Sequence, residues 1–382
     1  MGQIVRFEWL KMKRKRYIWN LLCILIVINS YHIFQISQSG KTMMEGHEKI
    51  ERQVEGKITD EKISFVTAHY KKYLKMVQEG TFSKEGNQKG TYTGYIMGDY
   101  NEFEVYYNTL KDLYEYQERA RKICEQAKDN AYFYAKRNNT YEMERNLKIY
   151  HSFHGRKITD YYEREDTQNY LEYDFSTLLM VIMVLISISG IWIYEKEHDM
   201  LVLMNCSEMP MTIIIIGKFL CMLLMGLLFT VVFAVDDYIC HSIFSSIKAL
   251  NQPLYSIEDY FFTGFRGSIL QYMLYSVWLK YIAVEFIAMC IFVLSYFFRD
   301  GMKVVCIGTG LYGGMIAICL YTRWIVNPVA LLSNSNYMRK LATVALSGHS
   351  YDYLLMVVCV LCLLVLGGLI WILLCRRRKS VW

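Results

Sequence analysis

Proline is scarce in this 382-residue chain, where three occur: Pro210, Pro253 and Pro328. A proline inside a helix removes a hydrogen bond and clashes with the preceding turn, so long helices are sterically open almost everywhere. Catalytic signatures are missing as well. The sequence holds no G-x-x-x-x-G-K-[ST] phosphate loop, which excludes an ATP-hydrolysing motor of that kind in this chain. It holds no H-E-x-x-H and no G-x-S-x-G, so nothing argues for an enzyme or a bound cofactor. His47-Glu48 and the His151/His154 pair are the nearest approaches to metal ligands. An i, i+3 histidine pair lacks the third and fourth ligands that zinc requires, and solvated surface histidines are expected.

What the sequence has is apolar length. Hydrophobic residues make up 54% of the chain, and the mean hydropathy is +0.16. That is too apolar for an ordinary soluble protein and too charged for one wholly in lipid, which predicts a bundle of spans plus one watery domain. The apolar runs cover 17–36, 173–194, 212–235, 269–298, 304–322 and 353–375. Each is close to the ~20 residues that cross a hydrocarbon core. The net charge of +6 matters less than its placement. Arg6, Lys11, Lys13, Arg14, Lys15 and Arg16 precede the first run; Arg376, Arg377, Arg378 and Lys379 follow the last. The positive-inside bias then puts both termini in the cytoplasm of a plasma-membrane protein, with an even number of spans. Both clusters abut spanning runs, which favours a membrane surface over nucleic acid. The first run is too long for a cleaved leader and has no small-residue cleavage site.

Between the runs the pattern is helical. Residues 1–16 set Phe7, Trp9 and Leu10 among charges at helical spacing, as in a helix lying in the membrane interface. Residues 37–172 form one polar block, expected to be an extracytoplasmic helical domain. Asp60 is the candidate N-cap of a helix to about Gln78. A loop over 80–98 precedes a long helix over 101–137 and a shorter one over 141–153. Many tyrosines supply large rings with polar tips, for packing thin layers or for contacting a substrate. Residues 195–211 make a loop with a short amphipathic segment. Asp236-Asp237 opens an outer loop over 236–268, and 299–303 is a tight basic turn. Gly308, Gly310, Gly313 and Gly314 give the fifth run a small-residue face for a neighbouring helix. The outer loop 323–352 has apolar pieces at 328–332 and 341–346 that suggest re-entrant or interfacial helices. Residues 376–382 are a basic tail. The expected fold is an all-α integral membrane protein with six transmembrane helices and a helical extracytoplasmic domain.

Eleven cysteines occur, most within apolar runs, where they behave as small apolar residues. Cys124 and Cys240 fall on the outer side and leave one disulfide open as an option. Ionisable residues inside the runs are Lys218, Lys280 and Glu285. Such residues are costly in lipid and tend to face protein or water. Lys218 is near a span end, from which it could snorkel. Lys280 and Glu285 are candidates for a polar pathway lining or for the ends of an overlong helix.

The loop between the second and third runs carries a recognisable order: Glu195 and Glu197, then Met200, Leu201 and Leu203, then Pro210, then Gly217-Lys218. With the opening FEWLKMKRKRYIW segment and the six-run order, the chain resembles ABC-2 type permeases, the membrane subunits of ABC exporters. Asp199 stands where that family usually has glycine, and Met211 where it often has arginine. The resemblance covers all but residues 37–172. It implies two permease subunits, identical or related, around a shared pathway for an amphipathic peptide or lipid-like substrate. It also implies ABC ATPase subunits on separate chains, docking on 198–211 and on the helix over 3–14, whose closure moves those helices as levers. The competing class is a membrane sensor or scaffold whose outer domain binds a ligand.

Overall fold

The computed structural model describes residues 2–41, 47–80, 91–200, 210–321, 327–333 and 338–379. The protein is 79% helical, and among the described residues strands form two two-stranded ribbons. Two kinds of helix alternate along the chain, and their composition decides where each goes.

Six helices are long and apolar enough to cross a membrane, the pattern of a multi-pass membrane protein. They are α2 (Arg16–Lys41), α8 (Phe175–Glu197), α9 (Met211–Phe244), α10 (Ile269–Phe297), α11 (Gly301–Tyr321) and α13 (Tyr353–Lys379). Helices apolar on every side must be covered by protein or by lipid. The bundle sorts them between those two fates. An 18-residue apolar stretch of the span that ends at Glu197 is 78% buried and the corresponding stretch of α11 only 11%, so α8 is the hub and α11 lies at the rim. Around the hub pack Trp192, Phe219, Phe229, Phe233 and Phe292, from α8, α9 and α10. Lipid would accept these side chains equally well, so close packing holds the helices together more than water exclusion does.

The polar helices fold separately in sequence. They are α3 (His47–Val54), α4 (Asp60–Gln78), α5 (Ile96–Lys136), α6 (Thr140–Phe153) and α7 (Glu165–Leu171). The long α5 packs against both α4 and α6. Its buried face repeats at helical spacing: Phe103, Tyr106, Leu110, Leu113 and Tyr116. Several tyrosines do pack here, with Tyr70 stacked on Tyr107 at 4.6 Å, while Tyr114 and Tyr132 remain exposed. A short ribbon of β1 (Gly56–Lys57) and β2 (Asp160–Tyr161) joins the two ends of this region. The region is tied to the connection between α9 and α10. The Tyr116 hydroxyl donates to the Phe261 carbonyl at 2.9 Å, and Lys248 pairs with Glu51 and Glu55.

The structure departs from the sequence expectations at several points. Helix α4 is capped by Thr59, whose hydroxyl accepts from the Lys62 amide, and Asp60 is the first helical residue. Helix α9 does not stop at 235 but runs to Phe244. Asp236 and Asp237 can sit within it because Asn29, Ser30 and Ser176 hydrogen-bond their carboxylates. The piece over 341–346 is not helical. Strand β3 (Thr343–Leu346) pairs with β4 (His349–Asp352) as a hairpin. Its two turn residues, Ser347 (φ 52°) and Gly348 (φ 82°), both take left-handed backbone, which suits the right-handed twist of the flanking strands. The piece over 328–332 is a short helix, α12 (Pro328–Leu332), capped by Asn327. Of the small-residue face, Gly308 packs closely, under Ile291 and Leu185, whereas Gly310, Gly313 and Gly314 face open space.

Candidate functional site: a charge-locked junction of three helices

The first helix, α1 (Gly2–Arg14), places Ile4, Glu8 and Met12 one turn apart along a single face. That face turns inward: Glu8 and Met12 are buried, whereas Phe7 and Leu10 are exposed. Trp9, half-buried, packs against the bundle core. Burying a carboxylate while exposing apolar side chains inverts the usual surface helix. It requires a cation inside and an apolar or interfacial medium outside.

The cation is Lys218, about two turns into α9 and completely buried. Its Nζ donates to Glu8 Oε2 at 2.9 Å and to Glu195 Oε1 at 2.7 Å. It also donates to the Ile191 carbonyl at 3.1 Å and lies 5.0 Å from the Trp192 ring centroid. Lys218 therefore does not snorkel to the surface; the two carboxylates hold it inside. Lys11 closes the cluster, donating to Glu195 at 2.6 Å and to Glu8 at 3.0 Å. Burial by itself lowers the Lys11 pKa. The hydrogen bond to Glu195 and the two carboxylate charges outweigh it, so Lys11 stands above the ordinary lysine value. Two lysines and two glutamates thus balance in a nearly dry junction. Such a cluster tolerates no single deletion well, because one removed partner leaves a buried charge unpaired.

Two close approaches fix the geometry. A Cβ on Gly217 would meet the Ile4 side chain at 2.6 Å, so glycine lets α1 lie against the first turns of α9. Lys15 reaches the Gly190 carbonyl at 3.2 Å, and burial followed by the Lys218 charge lowers its pKa. On the far side of α8, Lys196 donates to the carbonyls of Ser295, Tyr296 and Phe298 at 2.6–2.7 Å. The first two are among the last carbonyls of α10, which have no intrahelical partner, and the third belongs to the residue that caps it. The end of α8 is therefore bonded to α1, α9 and α10 at once.

Of the residues singled out from the sequence, the structure brings Glu195 and Lys218 together. Glu197 and Met200 are exposed just past the junction, and Pro210, also exposed, caps the start of α9. Leu201 and Leu203 lie outside the described residues. Lys280 lines a cavity of about 30 Å³ with Asp237, Ser176 and Ser276. A cavity of that size and polarity has room for a water. Glu285 is buried elsewhere, its carboxylate against Gly226 with no close hydrogen-bond partner among the described residues. Cys124 and Cys240 are both free thiols. The described residues hold no cluster of metal-ligating side chains. Sequence reasoning missed Glu8 and Lys11 as partners. The signal was present, since Glu8 sits midway between Ile4 and Met12 on the apolar stripe of α1.

No protein-family model, curated protein or solved structure matches the chain. The class of protein defined by the fold is a six-helix, multi-pass membrane protein with an inserted polar helical region.

Proposed function

We propose that the chain is the membrane-spanning subunit of an ABC-2 type exporter. In this reading it sits in the plasma membrane with both termini in the cytoplasm and the 47–171 region outside. ABC ATPase subunits on separate chains drive it. With a second permease, identical or related, it forms a path for an amphipathic peptide or lipid-like substrate. One observation supports the reading above the others. Glu8, Lys11, Glu195 and Lys218 bind the interface helix α1 to the exit of α8 and the entry of α9. A push on α1 or on the 198–210 segment would therefore move the ends of two spans together. Interior packing and ion pairs transmit a displacement because they resist continuous deformation.

The test is purification of the full tagged chain from its native membrane. The expected result is an ATPase that co-purifies and is lost when the exposed Glu197 and Met200 are replaced by Glu197→Lys and Met200→Asp. Absence of any nucleotide-hydrolysing partner under mild detergent counts against the reading. A membrane sensor is the second reading, and the cleft described next is the observation that favours it.

A further inference from the structure

The polar helical region contains a cleft of about 640 Å³ between α5 and the chain leading from α6 into β2. That volume lies in the range of pockets that hold small organic ligands, roughly 300–1,000 Å³. One wall is apolar, with Leu113, Phe153 and Ile158. The rest carries four Lys and Arg side chains, Lys57, Arg121, Arg156 and Lys157, against one carboxylate, Glu118. Arg121 and Glu118 on the rim neutralise each other at 2.8 Å. That leaves Lys57, Arg156 and Lys157, none of them in an ion pair with a described residue.

Arg156 is the unusual member. It is 4% exposed, and its hydrogen bonds to the described residues go to neutral acceptors. They are the Tyr116 hydroxyl at 3.2 Å and the carbonyls of Phe261 at 3.4 Å and Thr263 at 2.7 Å. The rings of Phe153 and Tyr255 lie 4.3 and 4.6 Å from its guanidinium carbon. Its Nε has no hydrogen-bond partner among the described residues. Arginine is almost never fully buried unless it is paired, and here no described carboxylate supplies the counter-charge.

We infer that the cleft binds an amphipathic carboxylate. The acid group sits between Lys57 and Lys157, drawn also by the unbalanced charge of the buried Arg156, and the apolar body lies along Leu113, Phe153 and Ile158. A carboxylate suits the site because the two ammonium groups can each donate to its oxygens, while the buried guanidinium, its Nη atoms committed to Tyr116, Phe261 and Thr263, adds positive charge that no described carboxylate offsets. The apolar wall recognises the remainder of the molecule. This inference is independent of the transporter reading, since it concerns one cleft and no ATPase.

The experiment uses the full purified chain carrying Tyr114→Trp as a fluorescent reporter on the exposed lip. Octanoate is the probe and octanol the uncharged control, with calorimetry on the parent chain as a second measurement. The expected result is a saturable signal with octanoate and binding of octanol weaker by at least about tenfold. The double variant Lys57→Glu/Lys157→Glu should weaken octanoate by a similar factor while the fold is retained. A second arm adds a short apolar peptide with a free C-terminal carboxylate or its amide. Competition by the acid form alone assigns the ligand to peptide C-termini, and lack of competition assigns it to fatty acids. Equal binding of octanoate and octanol, unchanged affinity in the charge-reversed variant, or no saturable binding by either method overturns the inference.

Discussion

Lys218 Nζ lies 2.7 Å from Glu195 Oε1, although the two residues belong to different helices, α9 and α8. The same ammonium reaches Glu8 at the other end of the sequence. A cation that hydropathy places near the edge of a span is thereby the centre of a three-helix junction.

Removing that cation should cost far more than a surface ion pair would. Lys218→Met leaves Glu8 and Glu195 buried with Lys11 alone, and breaking a buried pair in this way costs roughly 3–5 kcal/mol. The double variant Glu195→Gln/Lys218→Met leaves Glu8 and Lys11 in balance and should recover much of the loss. Thermal unfolding of the detergent-solubilised chain, run as a double-mutant cycle, measures the coupling. A single variant as stable as the parent would show that the charges are not dry.

Gly217 should be intolerant of size for a reason located on α1. Gly217→Val drives a side chain into Ile4, and overpacking of this kind costs about 1–3 kcal/mol. Ile4→Ala in the same chain should restore part of the stability. Recovery by that second substitution separates a steric clash from a loss of helix propensity.

Gly226 offers a parallel case in mid-bundle. A Cβ there would clash with Glu285 Oε1. Gly226→Ala should therefore destabilise, and Glu285→Ala should relieve it. Glu285→Gln alone should be tolerated, because glutamine has the same shape and the carboxyl it replaces has no close hydrogen-bond partner among the described residues. Thermal unfolding of the four variants decides this, with Glu285→Gln expected to equal or exceed the parent.

The hairpin should detach from α6 in acid. Glu144 accepts from the Ser350 amide at 2.8 Å and faces His349 at 2.8 Å, and these two contacts hold its pKa below the ordinary carboxylate value. A depressed carboxylate stabilises above its unfolded pKa of roughly 4.3. That contribution fades as the pH falls through the lower, folded value. Hydrogen exchange over 343–352, corrected for intrinsic rates, should rise below about pH 4 in the parent. In Glu144→Gln the pH dependence should flatten.

Denaturation in the presence of an alkylating agent, without reductant, should modify both Cys124 and Cys240, as expected of free thiols. A mass spectrum that shows them linked would contradict the arrangement. In the structure Cys124 Sγ donates to the Tyr150 carbonyl and Cys240 Sγ to Ser30 Oγ.

The long elements were readable because their signals are local. An apolar run of sufficient length specifies a spanning helix with no knowledge of its neighbours, and a three- and four-residue apolar period specifies the buried face of α5. Two local signals were present and overlooked. Ser347-Gly348 between two strand-prone pieces is a hairpin turn in its own right, and Ser268 with Gln271 forms the capping box that starts α10. The extension of α9 past Asp236-Asp237 was of another kind, since paired carboxylates read as a span end until Asn29 and Ser176 are brought beside them.

The amino-acid order alone determined where helices form and which are apolar enough to cross a membrane. Those properties depend on the side chains of contiguous residues and on their period. Only the tertiary structure decided that Glu8 meets Lys218, that Gly217 makes room for Ile4, and that Arg156 is buried without a counter-charge. Each of those facts depends on the distance between residues far apart in the chain, and a charge or a glycine has no preferred partner until the helices have packed.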